Sequence, residues 1–210
     1  MRCASKILPQ REGLNMCDKD KSLLEEIHEV NIAMELIKLG ARMQVLESET
    51  SLSRRRLLRL YKELRGCPPP KGMLPFSEDW FMSWEQNIHS SMFYNTFLYL
   101  KKTQPMRTIE TMMKAYRLYM EQCYPRSNEK PVLGLTRAWT LLRFIDCGIV
   151  SQKTCNVCKG GFVITTEYIK NPFTCSLCSP PSRAFKKSQV SSQDYFNAFS
   201  QQQEALAASA

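Results

Sequence analysis

Residues 155–178 read CNVCKGGFVITTEYIKNPFTCSLC, with cysteines spaced C-x2-C-x16-C-x2-C. Two C-x2-C pairs at this separation predict one tetrahedral metal site, because a two-residue gap lets a tight turn aim two thiolates at a single ion. Zinc is the expected ion. The alternatives to zinc are an iron centre and a redox dithiol; a lone C-x-x-C would suit the latter, but two matched pairs argue against it. Cys155, Cys158, Cys175 and Cys178 fill all four positions, so the predicted role is structural, with no place open for water or substrate. Between the pairs, Gly160 and Gly161 are expected where a turn needs free backbone angles. Phe162, Val163, Ile164 and Thr165 read as a strand, and Asn171-Pro172 as the turn back. The outline is a small four-cysteine zinc ribbon over residues 151–187, holding one Zn2+ per chain.

Upstream, residues 41–66 read ARMQVLESETSLSRRRLLRLYKELRG. A short helix to about Thr50 would bury Met43, Val45 and Leu46. Ser51-Leu52-Ser53 is then a polar turn with one apolar residue directed inward. Ser53 is a cap for a second helix with Leu57, Leu58, Leu60, Tyr61 and Leu64 on its apolar face, stopped by Gly66 and the prolines after it. Helix, short turn and helix make a helix-turn-helix, whose second helix can present its first residues to DNA base edges. Here that turn is Arg54-Arg55-Arg56, followed by Arg59, Lys62 and Arg65. Three arginines at a helix start oppose the helix dipole, a conflict that nearby phosphates would resolve. A solvated basic face is the plainer reading. Over residues 41–71, eight Lys or Arg stand against three Glu, a balance of +5.

Around these two stretches the chain reads as mainly α. Residues 1–20 lack periodicity and are expected to be a disordered leader, with Met16 a possible second start. Residues 21–66 form the N-terminal helical unit. Its first helix is capped by Ser22, with Glu25 completing a capping box, and carries the stripe Leu23, Ile27, Val30, Met34 and Ile37. Residues 67–76, CPPPKGMLPF, predict a stiff Pro-rich linker that sets this unit apart. Residues 77–150 predict three central helices. The first is capped by Ser77 and has Phe81, Trp84, Ile88, Met92, Phe93, Phe97, Leu98 and Leu100 inside. The second runs from about Thr108 to Cys123, ended by Pro125, and the third from about Val132 to Ile149. Helical spacing makes this Met and aromatic density core packing, part of which could serve a partner protein. Residues 188–210 are expected to be a mobile tail or a weak helix.

Composition bounds the function. Of 210 residues, 43% are hydrophobic and 23% charged, as in an ordinary globular protein, and the net charge is +9. The region 151–190 repeats the basic bias, six Lys or Arg against Glu167, and includes Arg183, Lys186 and Lys187. Nine cysteines with five unpatterned ones point to a reducing cytoplasm rather than a disulfide scaffold. No signal peptide or membrane span is evident. The two histidines, His28 and His89, are isolated, and no catalytic triad, phosphate loop or H-E-x-x-H is present, so an enzyme reading, such as a nucleic-acid-modifying one, has no constellation to use. A DNA-binding protein and a zinc-containing protein–protein adaptor remain.

Several runs carry a resemblance as well as a pattern. LGARMQVLESETSLSRRRLLRLYKELRG (39–66), PPPKGMLPFS (68–77), DWFMSWEQN (79–87), KAYRLYMEQC (114–123), LTRAWTLLRF (135–144) and CSLCSPPSRA (175–184) together resemble the FlhC family of bacterial flagellar transcription activators. The resemblance implies a hetero-oligomer with FlhD, four FlhD to two FlhC. It implies binding to promoter DNA upstream of flagellar operons and recruitment of RNA polymerase carrying the primary sigma factor. It also implies a four-cysteine zinc site, matching Cys155, Cys158, Cys175 and Cys178. No membrane or small-molecule substrate is implied. Arg54, Arg55, Arg56, Arg59, Lys62 and Arg65, from charge and helix-turn-helix geometry, and Arg183, Lys186 and Lys187, from charge, are the DNA-contact candidates, and the resemblance does not supply them.

Overall fold

The structure is a computed structural model that describes residues 22–124, 130–167, 172–182, 184 and 192–208. The leader, Pro125, Asn171, Arg183, Lys186 and Lys187 lie outside the described residues. The expected mainly α architecture is what is found: helices α1 (Leu23–Lys38), α2 (Met43–Glu49), α3 (Arg54–Arg65), α4 (Asp79–Met82), α5 (Trp84–Thr103), α6 (Thr108–Cys123), α7 (Leu135–Asp146) and α8 (Ser192–Ala208), with one hairpin of β1 (Val150–Thr154) and β2 (Gly161–Thr165). The strands pair antiparallel, from Val150 opposite Thr165 to Thr154 opposite Gly161.

α5 is the spine. Every residue from Asn87 to Phe97 is buried, on all faces of the helix, so this segment behaves as a core helix rather than a surface one. One face packs on α6 and α7, and another meets the hairpin and α8. A main core runs from Ile32 on α1 through Leu57, Phe93, Met112 and Leu141 to Val163 on β2. The Pro-rich segment therefore does not separate two cores: Leu74 packs into the same cluster as both halves it joins. A second cluster joins Ile88 and Met92 of α5 to Phe162, Leu177, Tyr195 and Phe199.

Stops and starts follow local chemistry. Ser22 caps α1, its Oγ accepting from the Leu24 N–H. α3 ends where Gly66 adopts φ 67°, and α7 ends at Cys147, before Gly148 at φ 72°. The third central helix is thus shorter than expected, because the glycine turn diverts the chain into β1. The first central helix is broken in two: Ser83 is extended between α4 and α5, and the residue before α4 is Glu78, not Ser77. On α1 the buried side chains are Ile32, Ala33, Leu36 and Ile37, while Leu23 (70%), Leu24 (76%) and Ile27 (49%) remain exposed. The stripe read from spacing is apolar, but its first side chains, Leu23 and Ile27, stay exposed among the described residues.

Of the two expectations for the C-terminal stretch, a mobile tail or a weak helix, the described residues 192–208 form the helix. α8 lies against α5, with Tyr195 Oη donating to Glu85 Oε1 at 2.7 Å and Gln202 Nε2 donating to Met92 O and Thr96 Oγ1 at 2.8 and 2.7 Å. Ser, Gln and Ala dominate its composition, and only Tyr195, Phe199 and Gln202 among its described side chains are buried. Such sparse anchors leave a weak periodic signal. Among the described residues no helix is long and apolar enough to cross a membrane.

Candidate metal centre and nucleic-acid interface

The four cysteines converge. Their Sγ atoms all lie within 4.8 Å of one another, Cys155 and Cys175 fully buried and Cys158 and Cys178 half-buried. Cys158 and Cys175 have sulfurs 3.7 Å apart. Four thiolates about 2.3 Å from one central ion would sit about 3.8 Å from each other, so this edge fits a tetrahedral site. A turn over residues 156–158 carries the first pair, and a matching turn over 176–178 carries the second. Backbone N–H groups face the sulfurs: Val157 and Cys175 donate to Cys155 Sγ at 3.4 and 3.3 Å, and Cys178 donates to Cys175 Sγ at 3.4 Å. Burial opposes ionisation of Cys155, but the N–H groups directed at its sulfur outweigh burial and lower its pKa to about 6. Burial raises Cys175 and Cys178. The cluster is thus prepared to hold a cation that stabilises all four sulfurs as thiolates.

Gly160 and Gly161 are glycines for a different reason than turn freedom. Neither has a positive φ; the left-handed residue of the first knuckle is Lys159, at φ 61°. A Cβ on Gly160 would come 2.5 Å from Phe199 Cε1, and one on Gly161 would collide with Gln152 and approach Asn95. Gly160 is small because Phe199 of α8 presses on it, and Gly161 because Gln152 of β1 and Asn95 of α5 do.

Spacing did not reveal how the ribbon is fixed. Asn87, Ser91 and Asn95, one turn apart on α5, meet the edge of β2 that β1 leaves open. Asn87 Nδ2 donates to Val163 O at 2.8 Å, the Val163 N–H donates to Ser91 Oγ at 3.0 Å, and Asn95 Nδ2 donates to Gly161 O at 3.1 Å. The helix acts as a third strand. Trp84 Nε1 also donates to Ser176 O in the second knuckle, at 3.0 Å. The available signal was a run of small polar residues at i, i+4 and i+8 inside an apolar helix.

The basic segment folds as the expected helix-turn-helix, with Met43, Val45, Leu46, Leu57 and Tyr61 buried, Leu52 packed on the core, and Leu58 exposed. Its turn is held by Glu29 of α1, whose carboxylate accepts the Ser51 N–H at 2.8 Å and pairs with Arg107 at 2.7 Å. Burial would raise the Glu29 pKa, but these two partners lower it. The six cations of α3 have separate fates. Arg54 pairs with Glu47, Arg56 with Glu26, and Arg59 with Glu63 at 2.8 Å. Glu47 and Glu26 thus offset the dipole conflict at two of the three arginines that begin the helix. Arg65 turns inward and donates to Ile37 O and Lys38 O, closing the end of α1. Arg55 and Lys62 are exposed and unpaired among the described residues.

A family model described as the flagellar transcriptional activator FlhC matches residues 18–191. The chain belongs to the FlhC family. A flagellar transcriptional regulator FlhC from Enterobacter cloacae subsp. cloacae is 80% identical over 184 residues, covering 88% of this chain and 96% of that protein. Its counterpart from Erwinia tasmaniensis is 74% identical over 172 residues, 82% of this chain and 97% of the relative. One from Serratia marcescens is 58% identical over 174 residues, 83% and 90% of the two chains. The helix-turn-helix and the four-cysteine cluster both fall inside the matched region, so this FlhC chain is a transcriptional regulator in which a possible metal centre is packed against the helical body.

Proposed function

We propose that this FlhC chain is the DNA-binding part of a flagellar-operon activator that works in a hetero-oligomer with FlhD, four FlhD to two FlhC, and recruits RNA polymerase carrying the primary sigma factor. The carrying observation is a helix-turn-helix whose second helix exposes Arg55 and Lys62 and holds Arg54 and Arg56 only in solvent-exposed ion pairs. Exposed pairs of this kind contribute about 0–1 kcal/mol each, so a phosphate can displace the carboxylate at small cost. Arg183, Lys186 and Lys187, outside the described residues, add charge in the sequence that follows the second cysteine pair. The bare apolar start of α1, above a groove lined by Leu24, His28, Ser51 and Arg107, supports a protein contact there. The four thiolates fit one structural Zn2+, which would fix the ribbon and take no part in chemistry. Metal analysis of protein purified without chelator should then find one zinc per chain.

The test is charge reversal at Arg54, Arg55 and Arg56 in the co-purified complex. Retained assembly with lost promoter binding is the expected result. Lost assembly with normal DNA affinity would instead make this chain an adaptor, the reading favoured by the exposed start of α1.

A further inference from the structure

At the start of α3 only Arg55 is left without an ion pair among the described residues, whereas the far end of the helix-turn-helix is bare. Where α3 begins, Glu47, Glu26 and Glu29 hold Arg54, Arg56 and Arg107. α3 has 12 residues, so its far end lies about 18 Å away. There the inward turn of Arg65 onto Ile37 O and Lys38 O brings the end of α3 to the end of α1. Lys38, Lys62 and Lys71 are exposed in this region, and Arg42 leads into α2. None of Lys38, Arg42, Lys62, Arg65 and Lys71 forms an ion pair among the described residues, and neither does Arg137 of α7, which joins them.

Two of these groups are unusual. The Arg137 guanidinium lies 3.9 Å from the centre of the Trp80 ring. It is half-buried, yet its side-chain N–H groups have no protein acceptor among the described residues. Arg42 is also half-buried and is held by one bond, from Nη1 to Met73 O at 2.6 Å. Gly72 lies beside it, with its peptide oxygen bonded to Gln44 Nε2 at 3.0 Å. Burial, and then the charge of Arg42, lowers the Arg137 pKa, so the two cations are near enough to repel. A half-buried cation is costly without a partner, and two placed together with no carboxylate cost more. Stacking on an indole orients a guanidinium and leaves its edge free for the bidentate geometry that phosphate oxygens match.

The geometry points to Arg42 and Arg137, on the platform of Trp80, as a clamp for a DNA phosphodiester beside the far end of α3. This rests on the DNA-binding reading above. A repeating polyanion fits better than a single acidic side chain, because the bare cations continue along the helix-turn-helix and the end of α1 through Lys38, Lys71 and Lys62 to Arg55. A protein carboxylate would need only one fork.

The experiment measures affinity of the co-purified complex for a flagellar-promoter duplex and for a scrambled duplex of equal length, across a salt series. The variants are R42Q, R137K and R42Q/R137Q. The control R117Q removes a cation that Glu35 already pairs. Each lost phosphate contact should make the log–log salt slope shallower by about 0.9, which at 0.1 M salt weakens binding roughly eightfold on both duplexes alike. R137K should keep the slope and lose affinity, since the charge stays and the fork goes. R117Q should match the wild type. Wild-type binding with a steep slope that R42Q and R137K both leave unchanged in affinity would overturn the clamp and leave the DNA reading intact. Failure of the wild type to bind either duplex at low salt would overturn both. Variants that lose the partner subunit while assembled wild type binds DNA would assign the pair to a protein carboxylate and overturn the clamp. If R42Q/R137Q melts early by circular dichroism, R42Q and R137K alone decide.

Discussion

At the scale of single residues, His89 is the group whose environment departs furthest from expectation. Sequence made it an isolated histidine on a helix. In the fold it is buried, with Nδ1 2.9 Å from Tyr119 Oη, Tyr124 stacked on its ring and Tyr195 at its edge. Tyr119 Oη also lies within reach of the Leu133 N–H, at 3.4 Å, which leaves the phenol proton for Nδ1. Burial lowers the His89 pKa from 6.5 to about 4. The unfolded chain therefore takes up a proton below pH 6.5 while the folded chain does not until about pH 4. Stability is full above 6.5 and is lost as pH falls through that window. Between pH 7 and pH 5 the loss from this group should be about 2 kcal/mol. Urea unfolding at the two pH values should show that H89Q loses less stability than the wild type by this amount. Gly160 gives a second test. Its hydrogen faces Phe199, and an added Cβ would collide with the ring. G160A should cost about 1–3 kcal/mol of overpacking, and F199L should recover part of it in a double-mutant cycle. Both residues show what spacing conveys and what it does not. Four cysteines at fixed intervals report a shared metal without any knowledge of the fold, whereas the reason for Gly160 lies 39 positions away, on a helix whose Ser, Gln and Ala gave no signal.

At the scale of elements, the periodic apolar stripes were legible and their partners were not. Met43, Val45, Leu46, Leu57 and Tyr61 are inside, as their spacing predicts, because the hairpin needs little more than its own pattern to form. Arg54 and Arg56 were legible as charges but not as paired charges, since Glu47 and Glu26 come from other helices. Arg65 was legible only as one more cation, although it closes the end of α1. The α5–β2 seam was hidden because it joins elements of different period. Its test is direct. Asn87 donates to both Phe81 O and Val163 O, at 3.0 and 2.8 Å, in a buried site. N87D keeps the shape but removes both donors and directs a carboxylate at two carbonyl oxygens. It should cost more than about 3 kcal/mol, while S91A, which strands only the Val163 N–H, should cost about 1–3 kcal/mol. Thermal unfolding of the two variants checks the order, and a smaller effect for N87D than for S91A would show that the seam bears little of the fold's stability.

At the scale of the whole molecule, the question is whether the cysteine cluster is a separate module or part of the body. Cys155 and Cys175 share one apolar cluster with Ile88 and Met92 of α5 and Tyr195 and Phe199 of α8. Trp84 and Glu85, at the start of α5, reach the second knuckle and α8. A metal held by the four thiolates would therefore order two turns that support one face of the spine helix. Because binding to the folded state alone adds stability by mass action, removing the ion should destabilise everything that rests on those turns. A chelator, or C155S, should speed amide exchange through β1, β2 and α8 together. It should also move the fluorescence of Trp84, whose indole N–H bonds the knuckle backbone. The α1–α3 hairpin, anchored on α6 and α7 through Glu29–Arg107 and Glu49–Arg143, should keep its protection. The two halves of the proposed activity would then separate: loss of metal would leave the helix-turn-helix folded and phosphate contact at α3 in place, while the α8 face would be released. Exchange that stays confined to the loops around the cysteines would instead mark the ribbon as an independent appendage. In that case the stability of α8 must come from its own bonds to α5, through Tyr195 and Gln202, and not from the metal.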